Sequence, residues 1–556
     1  RLCGLIGVLF LASCYDLDEI NENPNGISPE TAHPNLLLTT VMTEAGKSIV
    51  DLGYGDIAGV MQHTQKDSWS SGHNDYDWDE KDWNNYFNML RNNNLAYQRA
   101  IDLGLEFHQG VCLVMKSFIF GLLTDLWGEA PYTAALKGDQ GEDNLYPIFD
   151  TQENIYMGIL DDLKTANDLL SKDRSAYSEI YADGDVFLHG DPAKWRKFAN
   201  SLMLRYYMRL SEKMPSLAQS GVEMIVNNPS QFPIISSNDD DVTMTYVGSS
   251  SDDAWPNNQE FDPSGSGFRR IKIAATLSER LQALGDARLG VWAAKVEIPI
   301  KISDKYAPEL DVVVDGVRYL LPEGLAANNQ VVKAPEYLTA DALRQYAVID
   351  TNSTYVGLPQ SIGSEPYWYN LNPNPVQGGS NPHVSYLADI YREASGPLLK
   401  SRIISFAEVS FIQAEAAIRG WNTGDAQTHY ENAVRASLET WGVGDTYDDY
   451  ITHPEVAFDN TIKQVIEQKW IASWTAAAEA WFDYRRTGYP ELEAGPLARR
   501  SKLPLRFYYG NNEKNINSDN YDAAIQNLEV TNFSREDNED SPWSKMWLLQ
   551  GTGKPW

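Results

Sequence analysis

Apolar positions recur with helical spacing along most of this chain, and the densest stretch is 111–132, VCLVMKSFIFGLLTDLWGEAPY. Its apolar residues fall on every face of a helix, which predicts an element wrapped by others rather than laid on a surface. Seventeen residues from Val111 to Trp127 are near the lower limit for a membrane span and include Lys116 and Asp125, so a buried helix is expected. Gly128 supplies a left-handed residue to end it, and Pro131 prevents resumption.

Helical spacing also covers Thr31 to Asp56, and Trp83, Tyr86/Phe87 and Leu90 share one face of the next helix. Asp150 with Glu153 predicts the cap of a helix whose stripe is Ile155, Ile159, Leu163, Ala166 and Leu170. Asp191-Pro192 opens another, with Trp195, Phe198, Leu202, Tyr206 and Leu210 in phase. Between 236 and 399 the pattern breaks into Gly, Pro, Asn and Ser, with short strands at Val242 to Val247 and Val312 to Leu320 and one good helix, Ile271 to Leu284. Helices resume at Phe406 to Ile418, stop at Gly420 and restart after Asp425, a pair of the kind a tetratricopeptide-like repeat requires. Thr461 with Gln464 predicts a capping box for a helix running to Trp481.

The first thirteen residues are apolar after Arg1 and reach Leu11-Ala12-Ser13-Cys14, which has the form of a lipoprotein cleavage site. Residues 1–13 are therefore expected to be a signal peptide, Cys14 the lipidated residue, and 14–33 a polar tether. Asp16, Asp18, Glu19 and Glu22 follow closely, resembling the surface-export signal of Bacteroidetes lipoproteins. Cys112 alone remains, so no disulfide framework is available and a hydrophobic core must stabilise the chain. The formal charge of −32 argues against nucleic acid, since phosphate binding needs clustered Lys and Arg.

Catalytic and cofactor motifs fail one by one. Gly53-Tyr54-Gly55-Asp56-Ile57-Ala58 fits a loose dinucleotide fingerprint without the surrounding strand, helix and strand, and Gly46-Lys47-Ser48 lacks the first glycine of a phosphate loop. The eight histidines show no metal-ligand spacing, there is no G-x-S-x-G, and Cys112 sits where a thiolate is costly. No cofactor or metal is implied. A glycoside hydrolase needs only two carboxylates at a cleft, and among 77 acidic residues pairs such as Asp75/Asp77 or Asp252/Asp253 carry little information.

Several strings have a family likeness. Thr124 to Tyr132 (TDLWGEAPY), Trp83 with Tyr86, Ser405-Phe406-Ala407-Glu408 with Ala414-Glu415-Ala416, Glu479 to Pro490 (EAWFDYRRTGYP) and Pro504-Leu505-Arg506 resemble, in matching order, the SusD/RagB family of outer-membrane nutrient-binding lipoproteins. The resemblance implies a mostly α fold: one SusD-like domain over 34–556 with tetratricopeptide-like helix pairs and a loop-rich ligand-facing side carrying a few short strands. Its helical core would occupy 34–235 and 400–525, and its loop-rich segment 236–399. It also implies a surface-exposed protein held in the outer membrane by a lipid anchor, capping a TonB-dependent, SusC-like transporter. Such a protein captures glycans, or in some members peptides, without catalysis.

Sugar binding needs an aromatic plane against the C–H face of a ring and polar side chains around its hydroxyl rim. Loops 63–80, 252–270 and 353–370 offer that mixture. The candidates are Trp69, Tyr76, Trp78, Trp255, Tyr355, Tyr367 and Trp368, with Asn74, Asp75 and Arg269 as polar partners. Trp83, Trp127, Trp195, Trp470 and Trp481 stand at helical spacing and are expected in the core. An anchored glycosidase and a peptide-binding importer component are the alternatives to a glycan binder.

Overall fold

The computed structural model describes residues 31–556 except 70, 363–368, 535, 536 and 538. The expected signal segment, Cys14 and most of the tether lie outside the described residues, as do Tyr367 and Trp368. The fold is mostly helical, as expected. Helices α1 (Pro34–Gly53) and α2 (Asn84–Asp102) pack together, and α2 turns tightly into α3 (Glu106–Trp127), which holds the dense apolar stretch. Beyond it come α4 (Gln152–Leu169), α5 (Pro192–Arg209) and α6 (Pro215–Val226), each against its predecessor.

Among the described helices α3 alone is long and apolar enough to cross a membrane, yet 94% of its apolar window is buried within the protein. Its glycines are used for close approach and for termination. A Cβ on Gly121 would stand 2.1 Å from the Tyr206 hydroxyl, so α5 can lie against α3 only because this position has no side chain. Gly128 takes φ +100 and donates its N–H to Thr124 O at 3.0 Å, closing the helix as expected. The cap of α4 shifts by one residue: Thr151 accepts from Asn154 N–H, while Asp150 accepts the N–H groups of Tyr132 and Thr133.

After α7 (Ala275–Leu284) and the irregular segment, α8 (Phe406–Ile418) and α9 (Ala426–Thr440) form the expected pair. The helix expected from Ile462 to Trp481 is two, α10 (Ile462–Ala472) and α11 (Ala477–Thr487). Between them Thr475 takes φ +66, and the bend lets α1 close in, where a Cβ on Gly53 would meet Thr475 O at 2.5 Å. Only half of the capping box forms: Thr461 accepts from Gln464 N–H, but the Gln464 side chain bonds Asp459 N–H instead.

The family-like strings meet inside the molecule. Asp125 of α3 pairs with Arg209 of α5 at 3.2 Å and accepts from the Tyr156 hydroxyl at 2.7 Å. Arg209 also reaches Glu479 at 2.6 Å, Arg205 bonds Glu408, and Arg486 joins Asp483 and Glu415. All of these groups but the half-buried Glu408 are buried, so each charge must be matched by a partner or the helices separate. Burial alone would push the Asp483 carboxyl up, but Lys469, Arg486 and Arg209 outweigh it and hold it well below the usual range.

Short strands are β1 (Thr64–Lys66), β2 (Val242–Thr245), β3 (Ile271–Ile273), β4 (Ile300–Ile302), β5 (Asp311–Val314), β6 (Val317–Leu320), β7 (Gln330–Val332), β8 (Ala347–Ile349) and β9 (Lys400–Ile404). They pair as β1–β3, β2–β9, β4–β6–β5 and β7–β8. Two expectations change here. The helix expected from Ile271 begins only at Ala275, because Ile271-Lys272-Ile273 alternates and pairs antiparallel with β1. The strand expected over Val312 to Leu320 is a hairpin, turned at Asp315-Gly316, both at positive φ.

Candidate functional site

The β1–β3 ladder decides which loops meet. Thr64 pairs with Ile273 and Lys66 with Ile271, and Asp67 N–H continues the pairing to Arg270 O at 2.7 Å. The polar loop leaving β1 and the segment entering β3 therefore emerge side by side.

The loop from 67 to 80 is rooted in the core by its own aromatics. Trp78 is 3% exposed and stands edge-on to Trp481 and Phe507 at 5.5 and 5.0 Å. Tyr76 is fully buried at φ +64. At the far end Trp127 donates its indole N–H to Lys81 O and Tyr508 O. At the near end the His63 ring bonds Trp470 O at 3.0 Å. Between these roots Asn74 folds the tip: its Oδ1 accepts Lys66 N–H at 2.8 Å, and its Nδ2 donates to Lys66 O and Trp69 O. Asn74 is fully buried, so it positions the loop.

What the tip presents is Trp69. The ring is half-buried and its indole N–H is satisfied by Ser71 O at 2.7 Å. Arg270 Cζ lies 4.9 Å and Lys66 Nζ 5.1 Å from its centre. Both cations lie over the indole, so the half-buried ring and the two donors on it form one amphipathic cluster at the tip. Arg269 is spent differently, donating to Gly378 O at 2.9 Å and Ser264 O at 2.8 Å, which ties the neighbouring loops together.

Beneath this cluster lies a buried polar layer. Asp67 accepts from the side chain of Asn381 at 3.1 Å and faces Lys272, whose Nζ lies 3.0 Å from the centre of the Tyr386 ring. Burial lowers the Lys272 ammonium pKa and raises that of the Asp67 carboxyl, each against the pull of the other charge. Tyr386 stacks on Phe268, 6.1 Å apart and 15° from parallel, and Arg392 Cζ covers Phe268 at 4.4 Å. This column of cation, two rings and cation fixes the loop around 380–392 to β3.

The structure brings Trp69, Asn74 and Arg269 together and places the other described candidates elsewhere, Tyr367 and Trp368 lying outside the described residues. Tyr76 and Trp78 are roots of the loop. Trp255 is fully buried, edge-on to Tyr54 and Tyr246 at 5.5 and 5.4 Å. The expectation that these three face a ligand is corrected: their rings are covered by protein, because a loop of this length needs an apolar anchor. Tyr355 is half-buried, its hydroxyl beside Gly290 of the short helix Arg288–Trp292. Asp75 faces Asp77 and the backbone of Arg499; burial, with Asp77 adding, raises its carboxyl pKa to about 6. Residue-type reasoning missed Lys66, Arg270, Asp67 and Asn381. The sole signal for Arg270 was its place beside Arg269. Among the described residues no group of three or more His, Cys, Asp or Glu side chains is arranged to hold a metal ion.

The model of the family SusD-like, described as starch-binding and associating with outer membrane, matches residues 24–306 and 343–510. The chain belongs to this family. Solved structures agree in fold. A SusD homologue from Bacteroides fragilis is 21% identical, with TM-score 0.66 over 93% of this chain and 99% of that one. A protein named as chitin-binding is 23% identical, with TM-score 0.67 over 94% and 99%. A SusD-like protein from Bacteroides thetaiotaomicron is 20% identical, with TM-score 0.65 over 92% and 98%. A comparison with curated proteins finds no match. The SusD-like match skips residues 307–342, which carry β5, β6 and β7.

Proposed function

We propose that this SusD-like protein captures a glycan at the cell surface and passes it, uncut, to a TonB-dependent outer-membrane transporter. The family match carries the reading, since the family is described as starch-binding and associated with the outer membrane. A structural neighbour named as chitin-binding points to the same ligand class. Removal of residues 1–13 and acylation of Cys14 would tether the domain 34–556 through 14–33, with the loops of 236–399 turned to the ligand.

In this reading the part of the Trp69 ring that Arg270 and Lys66 leave uncovered takes the C–H face of a sugar ring, and the two cations donate to its hydroxyls. Arg269 and Asn74 act through the backbone that they hold. Tyr367 and Trp368 stay in the proposed site by residue type alone. Micromolar to millimolar affinity suffices for hand-over, and several contacts along one polymer raise retention.

A polysaccharide affinity gel run beside a reducing-sugar assay tests the proposal. Retardation without release of reducing ends is expected. Release of new ends by the purified chain would make it a glycosidase, and displacement of bound glycan by peptides alone would make it a peptide binder.

A further inference from the structure

Residues 307–342, which the family model passes over, build a small module of their own. The β5–β6 hairpin adds to β4, and β7 pairs with β8, so two small sheets stand side by side. Between them runs an open groove of about 570 Å³, lined by Lys301, Ser303, Lys305, Tyr319, Val332 and Thr351.

Three observations describe what this groove can hold. The first is its charge: Lys301 and Lys305 form no ion pair among the described residues, in a chain with a formal charge of −32. Of the nearby carboxylates Asp311 pairs with Arg318 at 2.7 Å and Asp350 with Lys333 at 3.4 Å, Asp304 stands exposed beside Lys305, and none lines the groove. The second is its aromatic wall. Lys301 and Tyr319 are directly paired across β4 and β6, so both project to one face. Tyr306 meets Tyr319 edge-on at 4.7 Å, and Lys305 Nζ lies 4.9 and 5.3 Å from the two rings.

The third is the backbone edge of β4 away from β6, with Ile300 buried and Ile302 half-buried. Arg318 donates to Pro299 O and Ser303 to Leu320 O, so in this parallel ladder residues 299, 301 and 303 face β6. The backbone groups of Ile300 and Ile302 point the other way, into the groove that these residues line. Hydroxyls from Ser303 and Thr351 stand along the same wall.

From these we infer a second binding site on this module, one for a glycan bearing uronic-acid carboxylates. Lys301 and Lys305 would meet the carboxylates, Tyr319 a ring face, and the edge of β4 the hydroxyls. A peptide adding as a strand is disfavoured, because β4 is three residues long and carries a lysine, the two devices that blunt an edge. The inference shares with the proposed function only its ligand class, since none of the residues around Trp69 lines this groove.

Calorimetry with hexagalacturonate and with maltohexaose, on the full chain and on Lys301→Gln/Lys305→Gln, tests it. Hexagalacturonate is expected to bind, to weaken about tenfold in the double variant and to weaken further as salt rises. Trp69→Ala is expected to leave that binding in place, which separates this site from the other even if no neutral glycan binds. A matching thermal melt for the double variant excludes unfolding. No binding of hexagalacturonate, equal binding by the double variant, or stronger binding of a poly-glutamate peptide at the same lysines would overturn the inference.

Discussion

Arg270 Cζ lies 4.9 Å from the centre of the Trp69 indole, joining two loops far apart in sequence at one half-buried ring. The contact exists because β1 and β3 pair and release their loops at the same end. If this ring is the platform, Trp69→Ala removes the stacking surface without opening the core. Glycan affinity measured by calorimetry should fall about tenfold, roughly 1.4 kcal/mol, with the melting temperature unchanged.

Asn74 makes three hydrogen bonds to the backbone of its own loop and has no access to solvent. Asn74→Ala leaves buried N–H and C=O groups of Lys66 and Trp69 without partners. A stability loss of about 1–3 kcal/mol in urea is expected, together with a loss of glycan affinity, since the tip no longer holds Trp69 in place.

Trp78 and Trp255 should act first on stability. Each packs edge-on between core aromatics, so truncation to Ala leaves a cavity and is expected to cost about 3–5 kcal/mol in denaturant titrations. The fraction of Trp255→Ala that remains folded should bind glycan as the parent does, whereas Trp78→Ala removes a root of the Trp69 loop and should weaken binding as well.

Arg209 stands between Asp125 and Glu479 with both carboxylates buried. Arg209→Ala takes the nearest cation from two buried acids, leaving Glu479 only Arg205 at 3.5 Å and Asp125 only Arg485 at 4.0 Å, and should destabilise by about 3–5 kcal/mol, measured by urea unfolding. Arg209→Met with Asp125→Leu, which removes more of the charge, should cost less than the sum of the single changes.

Acid should weaken the protein through two buried histidines. Burial lowers the pKa of His63 and of His73 to about 3, so both stay neutral when folded but take up a proton when unfolded. Their folded values are depressed, and their contribution is complete above about pH 6.5 and shrinks as pH falls toward 3, by about 1.4 kcal/mol per unit for each. Asp241 and Glu129, both raised to about 7 by burial, carry the opposite sign, so the histidine term is read as a difference. Urea midpoints of His63→Gln and the parent at pH 7.5 and 5.5 should converge as pH falls.

Sequence alone determined the parts of this protein whose cause is local. The burial of α3 follows from apolar residues on all its faces, and the ends of α3, α5 and α9 follow from Gly128, Asp191-Pro192 and Asp425. The family-like strings were legible as strings, and the buried pairing of Asp125, Arg209 and Glu479 joins two of them. Tertiary structure alone decided which aromatics of the polar loops are roots and which is the tip. Trp69 and Trp78 sit in one loop with similar neighbours in sequence, and only the arrival of Trp481 and Phe507 buries the second. Likewise Ile271-Lys272-Ile273 became a strand because β1, some two hundred residues earlier, lies beside it, a pairing that no local pattern records.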